Sequence, residues 1–254
     1  MNKSVFVTGA CSGTGYAIAE RFAKEGYDIF ITSREPNNAQ IAAEKLAKQY
    51  GVFTKGYELA SGNEEKVIEV FEDIKKTGHL LDTCVFNAAN LGIGMDFFKV
   101  PLKEFMEVFE TNLGWNFTMA RQAALQMKEK HSGAIVFITS NTAYRAIPNR
   151  SAYCASKGGM ISLSKALAID LGQYGIRVNC VVPGMIKTIR WQNSEAIRST
   201  LSNYTPIGDI AEFEDIANGA WYLGSDQSRN TTGAEIIIDG GNCAQLYPQV
   251  PEQK

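Results

Sequence analysis

The chain lacks the features that define several large classes of protein. Its 254 residues include only two histidines and five cysteines, and no CxxC pair occurs, so we expect neither a metal site nor a disulfide framework. No apolar run approaches the roughly 20 residues that span a bilayer, and no signal-peptide pattern follows Met1. The net charge of −2 gives no bulk attraction to nucleic acid or to a membrane surface. We therefore expect a cytoplasmic protein that acts on a small molecule.

Short β-rich runs alternate with longer helical patterns along the whole chain. The predicted strands are Val5–Thr8, Asp28–Ser33, Val52–Glu58, Thr83–Asn87, Ala134–Ser140, Arg177–Val182 and Glu235–Asp239. The predicted helices are Tyr16–Glu25, Asn38–Tyr50, Glu64–Thr77, Glu104–Lys130, Tyr153–Tyr174 and Glu212–Leu223. Continuous apolar strands are typical of parallel sheets covered on both faces. The pattern predicts one α/β domain over residues 1–254, with a Rossmann-type doubly wound parallel sheet and helices on both faces. We expect the tail, 245–254, to be frayed or to cross to another subunit.

A glycine-rich turn joins the first predicted strand to the first helix. In Thr8–Gly15, Gly9 permits a tight turn, Gly13 lets the backbone approach a pyrophosphate, and Gly15 lets the helix pack close to the strand. The free N–H groups of the helix start favour phosphate. An ordinary βα turn is the alternative. The turn predicts a dinucleotide site that includes Gly9, Cys11, Ser12, Gly13, Thr14 and Gly15.

The end of the second predicted strand bears on which dinucleotide binds. An acid there bonds the 2′-hydroxyl of NAD, whereas an arginine accommodates the 2′-phosphate of NADP. Here the strand ends in Ser33 and Arg34, with no acid before them in the strand end Ile31–Arg34. The pattern favours NADP(H). NAD(H) stays possible if Arg34 is only a solvated charge.

A tyrosine and a lysine four residues apart form the candidate catalytic pair. Tyr153 and Lys157 lie on one face of a predicted helix. A free phenol has a pKa near 10, and a nearby ammonium lowers it toward the range useful for proton transfer. Ser140 ends an apolar strand, at the edge where parallel sheets bind ligands. Its hydroxyl can hydrogen-bond the reacting oxygen.

Together these motifs resemble the compact branch of the short-chain dehydrogenase/reductase (SDR) family. The family's TGxxxGxG appears as Thr8–Gly15, and its Ser, Tyr and Lys appear as Ser140, Tyr153 and Lys157. Its structural Asn matches Asn112, and its NxxxPG matches Asn179–Gly184. The resemblance implies carbonyl–alcohol interconversion, in which Tyr153 is the general acid/base and Lys157 lowers its pKa and binds the ribose. It further implies that Ser140 orients the oxygen and Asn112 supports a proton relay.

The resemblance also assigns further cofactor contacts and has three departures. The implied contacts are Glu58, Leu59, Asn87, Ala88, Ala89, Tyr153, Lys157, Pro183, Gly184, Ile186 and Thr188. The family's NNAG reads Phe86–Ala89 here, its acid after strand three is Glu58 rather than Asp, and Thr14 replaces a branched apolar residue. The family also implies a homo-oligomer, a dimer or tetramer, built on the helices Glu104–Lys130 and Tyr153–Tyr174.

The sequence gives the least information about the substrate. Segment 185–207 corresponds to the family's substrate loop and carries apolar residues, including Ile186, Ile189, Trp191, Ile197, Leu201 and Tyr204. Arg145, Arg150 and Arg190 are either attractors of an acidic substrate or solvated rim charges. A sugar or polyol, a steroid-like alcohol and a 3-oxoacyl thioester all fit as substrates. A catalytically silent cofactor-binding regulator or scaffold is the alternative to an enzyme. His79 and His131 lie away from the motifs, and we expect both at the surface.

Overall fold

The computed structural model describes residues 2–35, 37–188 and 203–247. Within these ranges the strands are β1 (Ser4–Val7), β2 (Asp28–Ser33), β3 (Thr54–Glu58), β4 (Thr83–Phe86), β5 (Gly133–Ile138), β6 (Ile176–Pro183) and β7 (Glu235–Ile238). The helices are α1 (Gly13–Lys24), α2 (Asn38–Tyr50), α3 (Glu64–Lys76), α4 (Leu102–Phe109), α5 (Trp115–Glu129), α6 (Ser151–Gly172) and α7 (Phe213–Gly224). No helix within them is long and apolar enough to cross a membrane.

The strands form one parallel sheet in the order β3-β2-β1-β4-β5-β6-β7. Val5 pairs with Ile29 of β2 on one side and with Thr83 of β4 on the other. The strand order therefore reverses at β1. In such sheets, ligands bind at the carboxyl ends of the strands on either side of this reversal. The predicted doubly wound α/β fold is confirmed.

The inner strands β1, β2, β4, β5 and β6 bury side chains on both faces of the sheet. On one face Val5 and Val7 pack with α1, α2 and α7, which contribute Ile18, Phe22, Leu46, Ile216 and Leu223. On the other face Phe6 packs with α3, α5 and α6, which contribute Val67, Phe71, Met119, Met160 and Ile161. A strand covered on both sides gains stability from every apolar side chain, at about 25 cal/mol per Å² of buried apolar surface. This explains why the strands read as unbroken apolar runs.

Element bounds follow the sequence prediction closely, with one interruption. Strand Asp28–Ser33 and helix Asn38–Tyr50 have the predicted bounds. The predicted helix Glu104–Lys130 corresponds to a continuous helical stretch from Leu102 to Glu129, in which a π-helical turn, Glu110–Gly114, joins α4 to α5. Such a turn inserts an extra residue into the helix and is common at functional sites. Here it carries Asn112, which is fully buried.

The expectation of a surface His79 was wrong. His79 is buried at the amino-terminal end of the sheet, where its Nε2 lies 3.0 Å from Asp28 Oδ2 and its Nδ1 lies 2.8 Å from Thr77 Oγ1. Phe30 and Phe53 flank the imidazole. Its role is structural, because this end of the sheet is opposite the ligand-binding edge. His131 is exposed, as expected.

Candidate active site

A cleft of about 760 Å³ opens at the carboxyl ends of β1, β2 and β4. Predicted residues that line it are Gly9, Cys11, Ser12, Thr14, Gly15, Ser33, Arg34, Leu59, Asn87, Ala88 and Ala89. Residues that the sequence did not single out also line it, among them Thr32, Glu35, Asn90, Thr111 and Trp115. The cleft lies at the reversal of strand order, so its position is set by topology rather than by any one motif.

Tight backbone packing shapes the glycine loop of this cleft. A Cβ on Gly15 would lie 2.2 Å from the Gly9 carbonyl oxygen and 2.6 Å from Asn87 Nδ2, so only glycine fits there. Asn87 Nδ2 donates to the carbonyls of Thr8 at 3.1 Å and Gly9 at 3.2 Å, which ties the loop to the end of β4. Ser12 at the start of α1 makes no side-chain cap, so the first N–H groups of the helix are left for a ligand. These features fit the pyrophosphate of a dinucleotide.

The end of β2 presents one cation to the cleft. Arg34 is exposed on the lining, and no ion pair joins it to an acid among the described residues. Ser33 is buried, and its Oγ accepts a hydrogen bond from Glu35 N at 3.1 Å. The Ser33 hydroxyl therefore shapes the turn and still has its own proton to donate. The arrangement fits an anion at Arg34, with Glu35 as a neighbouring negative charge on the lining.

Of the predicted cofactor residues within the first 90 positions, Gly13 and Glu58 do not line this cleft. Glu58 ends β3 and is exposed toward a separate cavity between β3 and α3. The next residue, Leu59, is buried on the cleft side, and its N donates to Ser33 O at 2.9 Å. Strand side chains alternate between faces, so adjacent residues point to opposite sides. Gly13 lies next to the ring of Phe213 of α7, 3.7 Å from a Cβ built on the glycine.

Ser140, Tyr153 and Lys157 come together beside the cleft. Ser140 follows β5, and its Oγ accepts hydrogen bonds from Thr142 N at 3.2 Å and Thr142 Oγ1 at 2.9 Å. Its own O–H is not used in these bonds and is directed to the Tyr153 phenol, whose pKa it lowers by hydrogen bonding. Lys157 is buried on α6, and its Nζ donates to Ile138 O at 2.8 Å. The three side chains thus span the end of β5 and the start of α6.

Burial dominates the protonation of this group. It raises the pKa of Tyr153 above its ordinary value, while the hydrogen bond from Ser140 and the charge of Arg150 lower it. Burial lowers the pKa of Lys157 from 10.5 to about 8. The expectation that Lys157 lowers the phenol pKa stays a prediction. In this structure the groups that act in that direction are Ser140 and Arg150.

Asn112 connects the π-helical turn to α6. Its Oδ1 accepts from Asn90 N at 2.7 Å, and its Nδ2 donates to Asn90 O and to Ser156 Oγ, each at 2.9 Å. Ser156 Oγ in turn donates to Tyr153 O at 2.8 Å. Asn116 Nδ2 donates to Asn112 O at 2.7 Å. Asn112 therefore fixes the backbone of α6 at Tyr153 as well as the segment after β4.

The remaining predicted contacts lie beyond the end of β6. Pro183 is the last residue of β6, and Gly184 N donates to Ile238 O at 2.8 Å. A Cβ on Gly184 would lie 2.6 Å from Asp239 Cβ, so this close approach requires glycine. Ile186 bridges to Ala211, and Thr188 N donates to Ile186 O at 2.7 Å. These residues lie at the same edge of the sheet as the glycine loop.

A hydrogen-bond network missed by sequence reasoning holds the C-terminal segment. Arg145 Nη1 donates to Asn242 O at 2.6 Å, and its Nη2 donates to Gln245 O. Asn141 Nδ2 donates to Asn242 Oδ1 at 3.1 Å, and Asn242 Nδ2 donates to Tyr204 O at 2.8 Å. No sequence pattern predicts these bonds, because most of the acceptors are backbone carbonyls far along the chain. The Arg145 guanidinium is therefore engaged within the protein.

Parts of the predicted substrate loop and tail lie outside the described residues. In the loop, the undescribed residues that the sequence analysis named are Ile189, Arg190, Trp191, Ile197 and Leu201. In the tail, residues 248–254 are undescribed. Both described ends of the loop are hydrogen-bonded to other segments: Lys187 N donates to Ala211 O at 2.9 Å, just before α7, and Ile207 N donates to Gly240 O at 3.1 Å, after β7.

Comparisons with known proteins agree with this geometry. Residues 9–242 match a family model described as Enoyl-(Acyl carrier protein) reductase. A 3-oxoacyl-[acyl-carrier-protein] reductase of Chlamydia trachomatis is 32% identical over 247 residues, 95% of this chain and 97% of the relative. An NADP-dependent (R)-specific alcohol dehydrogenase of Lentilactobacillus kefiri is 34% identical, covering 96% and 97% of the two chains. The NADP-bound structure of ElxO superposes with a TM-score of 0.89 at 30% identity, covering 96% of this chain and 100% of ElxO.

Proposed function

This chain belongs to the short-chain dehydrogenase/reductase family, and we propose that it is an NADP(H)-preferring carbonyl reductase. In this proposal a hydride moves between a nicotinamide and the carbon of a ketone or aldehyde. The observation that carries it is the juxtaposition of Ser140, Tyr153 and Lys157 beside a cleft that fits a dinucleotide. The proposed catalytic residues are these three together with Asn112.

Tyr153 is proposed as the proton donor to the carbonyl oxygen. The bound nicotinamide supplies the hydride, and the protein supplies placement and electrostatics. As the oxygen gains negative charge, the Tyr153 hydroxyl gives it a proton, and the Ser140 hydroxyl stabilises it with a hydrogen bond. Because burial raises the pKa of Tyr153, the phenol is protonated at neutral pH in the protein without a cofactor. A protonated phenol suits the reductive direction.

Arg34 supports the preference for NADP(H). It is a cation without an acidic partner in the described ranges, and it lies on the cleft where β2 ends. A guanidinium binds phosphate through parallel N–H bonds, whereas the 2′-hydroxyl of NAD is better served by an acid at this position. Glu35 lines the same cleft, and its negative charge repels the 2′-phosphate. The proposal therefore requires that the attraction by Arg34 exceed this repulsion.

The deciding experiment is a titration of the purified protein with NADPH and, separately, with NADH, followed by cofactor fluorescence. Tighter binding of NADPH supports the proposed preference, and tighter binding of NADH contradicts it. Oxidation of the preferred cofactor with a panel of ketones and aldehydes then tests the enzymatic part. Binding without turnover of any carbonyl would instead indicate a cofactor-binding regulator.

We also propose that the chain forms a homo-oligomer through α5 and α6. An apolar groove of about 250 Å³ runs between these helices and is lined by Phe117, Leu125, Leu167, Leu171 and Tyr174. Phe117 and Leu125 are exposed, which leaves large apolar surface for a second copy to cover. Light scattering on the eluting protein gives the assembly size, and a monomer at all concentrations would contradict this proposal.

A further inference from the structure

Two arginines lie between Ser140 and Tyr153, and the structure separates their roles. Arg145 donates to the carbonyls of Asn242 and Gln245, so its guanidinium holds the C-terminal segment. Arg150 lies at the amino-terminal cap of α6, and its Nη1 donates to Leu91 O. Of the two, only Arg150 lies one helical turn from the proposed proton donor.

Contacts on both sides place Arg150 beside Tyr153. Arg150 O accepts from Cys154 N at 2.9 Å, so the helix that carries Tyr153 begins directly from Arg150. On the other side, Leu91 precedes Gly92, where a built Cβ would lie 3.8 Å from Tyr153 Cβ. The guanidinium therefore bridges the start of α6 and the segment after β4, and both of these adjoin the phenol.

The charge of Arg150 has no counter-ion in the described part of the chain. No ion pair within residues 2–35, 37–188 and 203–247 includes it, and its described side-chain hydrogen bond goes to a neutral carbonyl. A guanidinium has five N–H donors, so most of them are left for another acceptor. The side chain is only partly exposed, which makes an unpaired charge there costlier than on an open surface. The Arg150 charge also lowers the pKa of Tyr153, which agrees with the contacts that place the two residues side by side.

We propose that Arg150 binds a carboxylate of the substrate, so that the substrates are oxo acids rather than neutral ketones. A carboxylate matches the guanidinium fork and would supply the missing negative charge. Arg150 is the N-cap residue of α6, three positions before Tyr153, so a carboxylate on its guanidinium lies within a few bonds of the carbonyl that Tyr153 protonates. A 2-oxo or 3-oxo acid has this spacing.

This inference rests on the proposed carbonyl reduction and adds no chemical step. The carbonyl carbon takes the hydride of the reduced cofactor, and the carbonyl oxygen takes the Tyr153 proton. The product is a hydroxy acid together with the oxidised cofactor, and the carboxylate is unchanged. The role of Arg150 is to orient the substrate, which lowers the entropy cost of reaching the reactive geometry.

The test compares each oxo acid with its neutral ester. Initial rates are measured for 2-oxobutanoate, 3-oxobutanoate and their ethyl esters, with the cofactor that binds more tightly. For at least one pair we expect the wild type to favour the acid by about tenfold or more in kcat/KM. This factor corresponds to the contribution of one charge-assisted hydrogen bond. Arg150→Met should remove that preference, mainly by raising KM for the acid. Arg150→Lys should restore part of it, because lysine keeps the charge but lacks the fork.

The acid-to-ester ratio separates this role from the alternatives. Loss of the Arg150 charge also changes the pKa of Tyr153, but that change affects acid and ester alike and cancels in the ratio. Arg145→Met is the matched control, since it removes a guanidinium of the same segment and should leave the ratio intact. The inference is overturned if the wild type prefers neither acid over its ester. It is also overturned if Arg150→Met lowers kcat/KM equally for an acid and its ester. Reduction of neither acid nor ester overturns the proposed function itself, so the two failures can be distinguished.

Discussion

The Lys157 ammonium lies 5.6 Å from the centre of the Tyr153 ring and donates to Ile138 O at 2.8 Å. Ile138 is the last residue of β5, and Ser140 follows it two positions later. Lys157 therefore joins the face of α6 that carries Tyr153 to the strand end that precedes Ser140. Lys157 is buried, which restricts its movement, and the same burial lowers the pKa of its ammonium group.

Tyr153→Phe removes the proposed proton donor while keeping the ring. We expect kcat to fall by about 10²–10⁴-fold, the usual contribution of general acid–base catalysis. The dissociation constant for NADPH should change by less than about threefold, because the phenol hydroxyl is a small part of a charge-dominated cofactor site. Steady-state rates and fluorescence titration measure the two quantities. A variant that retains near-normal turnover would remove Tyr153 from the mechanism.

The burial of Lys157 predicts a specific dependence of stability on pH. Its pKa falls from 10.5 to about 8 on folding, so between these values the unfolded chain binds a proton that the folded chain does not. The contribution of Lys157 to stability must therefore rise with pH across that window. We expect the wild type to gain about 2 kcal/mol of unfolding free energy relative to Lys157→Met from about pH 7.5 to about pH 9.5. Urea unfolding of both proteins measures this, and a pH-independent difference would contradict it.

Arg34→Leu tests the proposed phosphate contact at the end of β2. The dissociation constant for NADPH should rise by about tenfold or more, because a charge-assisted hydrogen bond is lost. That for NADH should change little, since NADH has no 2′-phosphate. Raising the salt concentration should weaken NADPH binding more in the wild type than in the variant. Equal losses for both cofactors would show that Arg34 does not contact the phosphate.

Gly15→Ala tests the packing of the glycine loop. The new Cβ would clash with the Gly9 carbonyl oxygen and Asn87 Nδ2, so the loop must shift. We expect a loss of about 1–3 kcal/mol in stability and weaker binding of either cofactor. Gly172→Ala is the control, because Gly172 is exposed at the end of α6 with no atom within 4 Å of a built Cβ. That substitution should be neutral or stabilising by up to about 1 kcal/mol. Similar losses in both variants would show that the close approach at Gly15 is unimportant.

The sequence predicts those parts of the fold and candidate site that depend on local patterns. Unbroken apolar strands and helix-ending glycines such as Gly51, with φ of 69°, determine most of the element bounds. Tyr153 and Lys157 share a helix, so their spacing alone places them together. The glycine loop likewise lies within one βα unit. In each case the residues that matter are close in sequence, and backbone geometry fixes their relation.

Features that depend on distant partners could not be predicted in this way. The π-helical turn follows from what Asn112 bonds, namely Asn90 and Ser156. The engagement of Arg145 depends on carbonyls near the C-terminus. His79, in the loop before β4, is buried between Phe30 and Phe53, where Asp28 of β2 accepts its hydrogen bond. Composition and periodicity contain no information about such pairs.

The position of β1 at the reversal of strand order has a consequence for how the chain folds. The cleft combines the end of β1 with segments that follow β2, β3 and β4, so the first βαβ unit supplies only part of its lining. Parallel pairing of distant strands is slow, because loop closure precedes the contacts that stabilise it. A nicotinamide nucleotide can therefore bind only after these strands have assembled. Saturating cofactor should raise the melting temperature by mass action and slow unfolding, while the rate of refolding stays the same.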